Sequence, residues 1–411
     1  MTSDNGEEPG AHAVHRGGIG VVLICLGTMV AFNTIGISLA PGLPTIAREL
    51  GNGGDGTLVA QLVLTVPGIA MILGAALVGF LSQRFGRRWV MMSFHGLYAV
   101  VGFAGIFADT LPELVASRVV AGFAAGGLLT TVYATVGEYF EGIGRHKMIG
   151  FVSMTSSAWT VILLPLSGVI VDDFGWRATF WLYLPGLLLI PVARLGMHGE
   201  KPPSAGVDLS WRPILALWPI VLLVVIYTIG VYMMVIQGPF LAEARGEASG
   251  TLIGTLIAVT SAVGAAGGGI YGYLRKWLGF RAMFAFISLV FGIGMIVAVT
   301  APNMTIFVLA FAIMGLGSGI VEPTAATEAL NRTPDALHDR AAGATIAGLF
   351  LGQFLNPWVM NPLRAAGGIG FAFSVVAVAW LVGAALFLLA CFAQPAKAFP
   401  AWVRPRTAEG D

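Results

Sequence analysis

Twelve times along the chain, a run of about 20 or more mostly apolar residues stands between short polar intervals. Such a run crosses a bilayer as one helix, because a helix rises ~1.5 Å per residue through a hydrocarbon core ~30 Å thick. The runs cover roughly 18–42, 57–82, 88–108, 111–138, 147–171, 178–197, 212–237, 250–275, 281–301, 303–330, 340–364 and 368–395. A spanning strand needs only about 9–11 residues, so helices are expected throughout. Composition agrees: 57% of the 411 residues are hydrophobic and 10% are charged, against about 25% charged in a soluble domain. Too little polar surface is present to face water on every side. The expected fold class is an all-α membrane protein of twelve transmembrane helices.

The longest polar interval, MHGEKPPSAGVDLSWR (197–212), has linker composition and divides six runs from six. The organisation expected is a tail over 1–17, a six-helix half over 18–197, a linker over 198–211, a second six-helix half over 212–395 and a tail over 396–411. Of the 22 lysines and arginines, Arg118 falls inside a run. Arg48, Arg177, Arg245 and Arg364 fall on one side, and the other 17 fall on the side that carries both termini. Basic residues collect in cytoplasmic loops. Both termini are therefore expected in the cytoplasm and the chain in the plasma membrane, or the inner membrane of a Gram-negative cell. The N-terminal segment has no basic stretch leading into a short apolar core, so no cleaved leader is expected. Trp89, Trp176, Trp277 and Trp402 lie near run ends and suit the interfacial belt.

Two intervals resemble each other. GFLSQRFGRR (79–88) and GYLRKWLGFR (272–281) align without gaps at an offset of 193, pairing Gly79 with Gly272, Leu81 with Leu274, Gly86 with Gly279 and Arg88 with Arg281. The same offset carries Gly122 onto Gly315 and Gly126 onto Gly319, in spans 4 and 10. One register held from a loop through a span points to two parallel six-helix repeats, with a substrate site near midplane between them.

At this point the chain resembles the major facilitator superfamily, whose loop between spans 2 and 3 reads G-x-L-a-D-r-x-G-r-r. Gly79, Leu81, Arg84, Gly86, Arg87 and Arg88 match, and Gln83 replaces the acid. The resemblance extends over essentially the whole chain and implies a two-halved carrier working by alternating access. It also implies that this loop latches the halves in the outward-facing state. A weaker latch is expected here, because glutamine keeps hydrogen-bonding groups but no charge. Span 5 reads SMTSSAWTVILLPLSGVIVDDFGWR, where antiporter members carry G-x-x-x-G-P-x-x-G-G. Pro165 and Gly168 match; Thr160, Leu164 and Val169 do not. The likeness therefore leans toward the drug:proton antiporter branch on two positions of five.

Ionisable groups at membrane depth are functional candidates because they are costly there. Arg118 lies about seven residues into span 4, and its repeat partner is Phe311, so the charge breaks the internal symmetry. Its context, Leu114-x-x-x-Arg118-x-x-x-Gly122, resembles the family motif associated with proton coupling. Glu322 precedes Pro323 in span 10, where proline frees a backbone carbonyl. It is a candidate proton carrier or contact for a cationic substrate. Glu138 and His95, in the inner halves of their spans, are further protonatable candidates.

Asn33, Thr155, Ser156, Trp159, Tyr227, Tyr232, Gln237, Gln353 and Asn356 supply the neutral polar and aromatic groups expected around a mostly apolar cavity. Cys25 and Cys391 have no ligand spacing, and neither a metal nor any other cofactor is expected. A net charge of +1 gives no reason to expect nucleic acid. No nucleotide-binding loop and no catalytic set is present, which argues against an ATP-driven pump, an intramembrane enzyme or a signalling receptor. The partners expected are a small-molecule substrate, protons and the lipid bilayer, with the chain a monomer. Proton-driven efflux of a lipophilic or amphipathic compound is the leading expectation, with proton symport of a small organic metabolite the alternative.

Overall fold

The structure, a computed structural model, describes residues 18–51, 56–197, 212–247, 249–333 and 337–392. The two tails, the linker over 198–211 and Trp402 lie outside the described residues. Eleven helices are long and apolar enough to cross a membrane: Ile19–Leu50, Gly56–Phe85, Arg87–Phe107, Leu111–Tyr139, Ile143–Phe174, Trp176–Gly196, Trp218–Ala244, Gly250–Trp277, Phe280–Thr300, Met304–Asn331 and Arg340–Cys391. The last has 52 residues, about twice what a crossing needs. It breaks at Gly367 and Gly368, whose dihedrals are not helical, with φ +81° at Gly368. It is therefore two spans joined at a glycine corner, which brings the number to twelve. No strand occurs among the described residues.

Local chemistry explains most departures from the expected limits. Span 7 begins at Trp218 rather than 212, after a short turn at Arg212–Leu215. Pro219 cannot continue a helix through Leu215, because its ring clashes with the carbonyl four residues back; at the first turn of a new helix it fits. Span 7 also widens into a π-helical turn at Met233–Gln237 before Gly238 and Pro239. Span 6 opens as a 3-10 helix, Trp176–Leu188. Of the expected belt tryptophans, Trp89 and Trp277 are exposed, while Trp176 is buried and donates to Glu49 Oε2 (2.7 Å). Its place at a span end does not keep it at the lipid interface, because the indole N–H has an internal acceptor.

The repeat is visible in the packing. In the first six spans, a Cβ on Gly122 or Gly126 of span 4 would strike the backbone of Pro67 or Met71 of span 2. In the last six, a Cβ on Gly315 or Gly319 of span 10 would strike the backbone of Thr260 or Gly264 of span 8. Pro67 and Thr260, and Met71 and Gly264, are themselves 193 apart. Helix association in lipid rests on such close approach, since burying one apolar face rather than another gains little there.

The described hydrogen bonds joining the first six spans to the last six all lie toward the bundle face opposite the termini, here the distal face. Gln61 of span 2 donates to Gln237 of span 7 (3.1 Å) and accepts from Asn361 of span 11 (3.1 Å). Gln353 of span 11 donates to the Leu64 carbonyl (3.2 Å). Arg48 pairs with Glu243, and Asp172 at the end of span 5 bonds the first turn of span 8. Toward the other, proximal face, span 5 is exposed nearly all round: Ile149, Phe151, Ser153, Met154, Ser157 and Ala158 are exposed, with Met148 and Val152 buried. Among the described residues the bundle is closed distally and open as a cleft proximally.

Candidate functional site

Arg118 is fully buried and points into the first six spans. Its guanidinium donates to the Tyr183 hydroxyl of span 6 and to the Ile35 carbonyl of span 1, and lies 5.3 Å from the centre of the Tyr183 ring. Ile35 sits in the last turn of the helix Ile19–Ile37, where carbonyls lack intrahelical partners and the dipole is negative. The cation is thus held by neutral oxygens and an aromatic face, with no carboxylate in contact among the described residues. Among the described residues its Nε has no hydrogen-bond partner.

A polar seam between spans 1 and 5 gathers several cavity candidates. Asn33 donates to Ser156 (2.8 Å) and accepts from Thr160 (3.3 Å), while Trp159 donates to Thr34 (3.1 Å). Thr155 lies beside them, half-buried. A second cluster joins spans 2, 7 and 11. Gln237 donates to Asn356 (2.9 Å) and accepts from Gln61 and Arg364 (3.1 Å each). The π-helical turn sets Gln237 into this cluster, and wide turns of this kind accompany functional sites. Gln237, Gln353 and Asn356 are buried where the halves meet, under the closed distal face.

Glu322 is exposed, within electrostatic range of Tyr133 on span 4 and Tyr232 on span 7. Those tyrosines belong to opposite halves, so the carboxylate faces the cleft between them. It makes no described hydrogen bond or ion pair. Pro323 stays within a continuous helix, Met304–Asn331, but provides no N–H for the Gly319 carbonyl.

The remaining candidates lie apart from this cleft. His95 is buried between spans 1 and 3, with Nδ1 2.9 Å from the Met91 carbonyl and Nε2 3.2 Å from Thr28. Tyr227 donates to the Phe284 carbonyl (2.9 Å) within the last six spans. Glu138 pairs with Arg87 at the proximal end of spans 3 and 4. In the signature loop, Gly86 takes φ +87°, a turn glycine adopts without strain. Gln83 and Arg84 are exposed with no described partner, and a Cβ on Gly79 would meet nothing within 4 Å. Arg88 reaches the Met197 carbonyl at 3.5 Å. Gly168 packs on the Gly250 carbonyl of span 8, one turn beyond Pro165.

Sequence reasoning passed over Gln61, Asn361, Tyr133, Tyr183 and Asp172, and read Arg364 only as a loop charge. Gln61 and Asn361 are amides in apolar runs, the same signal that singled out Gln237. Among the described residues no group of three or more His, Cys, Asp or Glu side chains gathers as a metal site would.

The profile of the Major Facilitator Superfamily matches residues 23–357. The chain belongs to this superfamily, whose members are membrane transporters and not enzymes. Its curated relatives include a chloramphenicol resistance protein of Streptomyces lividans, 30% identical over 190 residues, 44% of this chain and 47% of that one. The multidrug efflux pump SdrM of Staphylococcus aureus is 29% identical over 165 residues, 40% of this chain and 36% of that one. The chain spans less than half the length of these relatives. Among solved structures, a D-xylose–proton symporter superposes with a TM-score of 0.74 at 15% identity, over 90% of this chain and 97% of that one. At that identity the likeness establishes the fold.

Proposed function

We propose that this transporter exports a lipophilic or amphipathic small molecule in exchange for protons, with both termini and the open cleft on the cytoplasmic side. The observation that carries this reading is Glu322. Among the described residues it is the one carboxylate away from the ends of the spans, and it faces the cleft from span 10 between Tyr133 and Tyr232. A carboxyl so placed alternates between a proton and a cationic or polar group of the substrate as the cleft opens to either side, and two ligands competing for one group are exchanged. Arg118, a buried cation on span 4 of the opposite half, supports the reading as a second charged group at membrane depth. One proton moving down 100 mV supplies about 2.3 kcal/mol, enough for roughly a fiftyfold substrate gradient. The two relatives named for drug resistance and multidrug efflux lean the same way.

Proton symport of a small metabolite is the second reading, favoured by the three non-matching glycine positions in span 5. Sealed proteoliposomes with an internal pH dye and an inside-acid gradient separate the two, screened against lipophilic drugs and small organic acids. Export predicts substrate-dependent loss of protons from the lumen, abolished in Glu322→Gln. Substrate and protons moving in the same direction would establish symport instead.

A further inference from the structure

Four hydrogen bonds from the start of span 8 converge on one carboxylate of span 5. Asp172 Oδ1 accepts from the Gly250 N–H (2.6 Å). Its Oδ2 accepts from the Thr251 N–H (2.9 Å), the Thr251 hydroxyl (2.6 Å) and the Ser249 hydroxyl (2.9 Å). The first N–H groups of a helix have no partner inside it, and the dipole there is positive. Span 8 already has its own cap, since the Ser249 hydroxyl accepts from the Leu252 N–H (3.3 Å). Asp172 adds a second cap from the opposite half of the protein.

Such a cap exists only while the two halves touch at the distal face. The sequence brings them close enough: Gly168 lies against the Gly250 carbonyl, and Gly254 against the Leu164 carbonyl. A side chain at either glycine would hold span 8 away and leave the carboxylate out of reach. The cap is also used once. The repeat position of Asp172 is Ala365, so the symmetry-related seam has no acid at this place. At the proximal face, where the signature loop would carry an acid, Gln83 stands exposed without a described partner.

We propose that Asp172 is a positioning residue that sets the resting orientation of this carrier. As an interhalf helix cap it stabilises the distal-closed, proximal-open arrangement, and Gln83 in the signature loop brings no charge to stabilise the reverse arrangement. This role involves no transport chemistry and is independent of proton coupling and of substrate identity.

The test is a distance measurement between spin labels at Asp109 and Pro302, two exposed distal-loop positions on opposite halves, in a Cys391→Ser background without substrate. The unmodified protein should give mainly the short distal distance. Asp172→Ala should raise the ratio of distal-open to distal-closed molecules about tenfold, the size of a lost charged helix cap. Asp172→Asn, which keeps one acceptor oxygen, should give a smaller rise. Gln83→Asp should shift the ratio in the same direction, and the double variant should combine the two, because the sites are at opposite ends. If Asp172→Ala does not yield folded protein, Asp172→Asn carries the test. A lowered melting temperature with an unchanged distance distribution would overturn the proposal, reducing Asp172 to a structural contact. A protein that rests distal-open before any substitution would overturn it as well.

Discussion

The two halves share one backbone plan and divide the charge between them. Spans 4 and 10 use the same pair of glycines, 193 residues apart, to pack on the same two positions of spans 2 and 8. Yet Arg118 in span 4 stands where span 10 has Phe311, and Glu322 in span 10 stands where span 4 has Leu129. The difference extends to the surroundings. Arg118 is met by the Tyr183 hydroxyl, whereas the repeat position of Tyr183 is Val376, and Phe311 packs on Gly238 and the Phe307 ring. What holds the helices together is duplicated, because both halves need the same close approach. What carries charge at membrane depth is not duplicated, because each ion placed there costs free energy that a second copy would add again.

Exchanging residues between the halves probes this division. The largest effect is expected for Phe311→Arg, which puts a cation where no hydroxyl stands at the position of Tyr183. It should cost about 3–5 kcal/mol, read as loss of monodisperse protein on size exclusion; a well-behaved Phe311→Arg protein would show that either half can hold the charge. Gly126→Val and Gly319→Val should each cost about 3 kcal/mol or more by overpacking against a backbone carbonyl that cannot retreat. Similar drops in melting temperature are expected, and a large difference between them would break the equivalence of the two seams. Tyr183→Phe removes one acceptor from a buried cation and should cost about 1–3 kcal/mol while also slowing transport. The smallest effect is expected for Glu322→Gln. With no described partner to lose, its melting temperature should change by less than the equivalent of about 0.5 kcal/mol.

The span count, the repeat and the family signature were legible because they are local in sequence. An apolar run announces a crossing wherever it occurs, and the glycine pairs keep their register. Arg118 stood out as a charge inside a span that breaks the internal symmetry, but its burial came only with the structure. The amide cluster was only half legible: Gln237 and Asn356 stood out in their runs, but Gln61 and Asn361 meet across 300 residues of chain. The role of Trp176 was misread because a tryptophan at a span end looks the same whether it faces lipid or an internal carboxylate.

By itself, then, the sequence determined that this chain spans the membrane twelve times as a doubled six-helix plan, and which few residues could carry charge within it. The tertiary structure alone decided which faces of the helices meet, that Asp172 reaches across to cap span 8, that Glu322 faces the cleft, and which end of the bundle is closed. The reason lies in the solvent. In water an apolar stripe tells which side of a helix is buried, but a bilayer is as apolar as a protein core, so hydropathy marks the crossing and leaves the facing undetermined. That choice is made by close-packed glycines and a small number of hydrogen bonds between residues far apart in the chain.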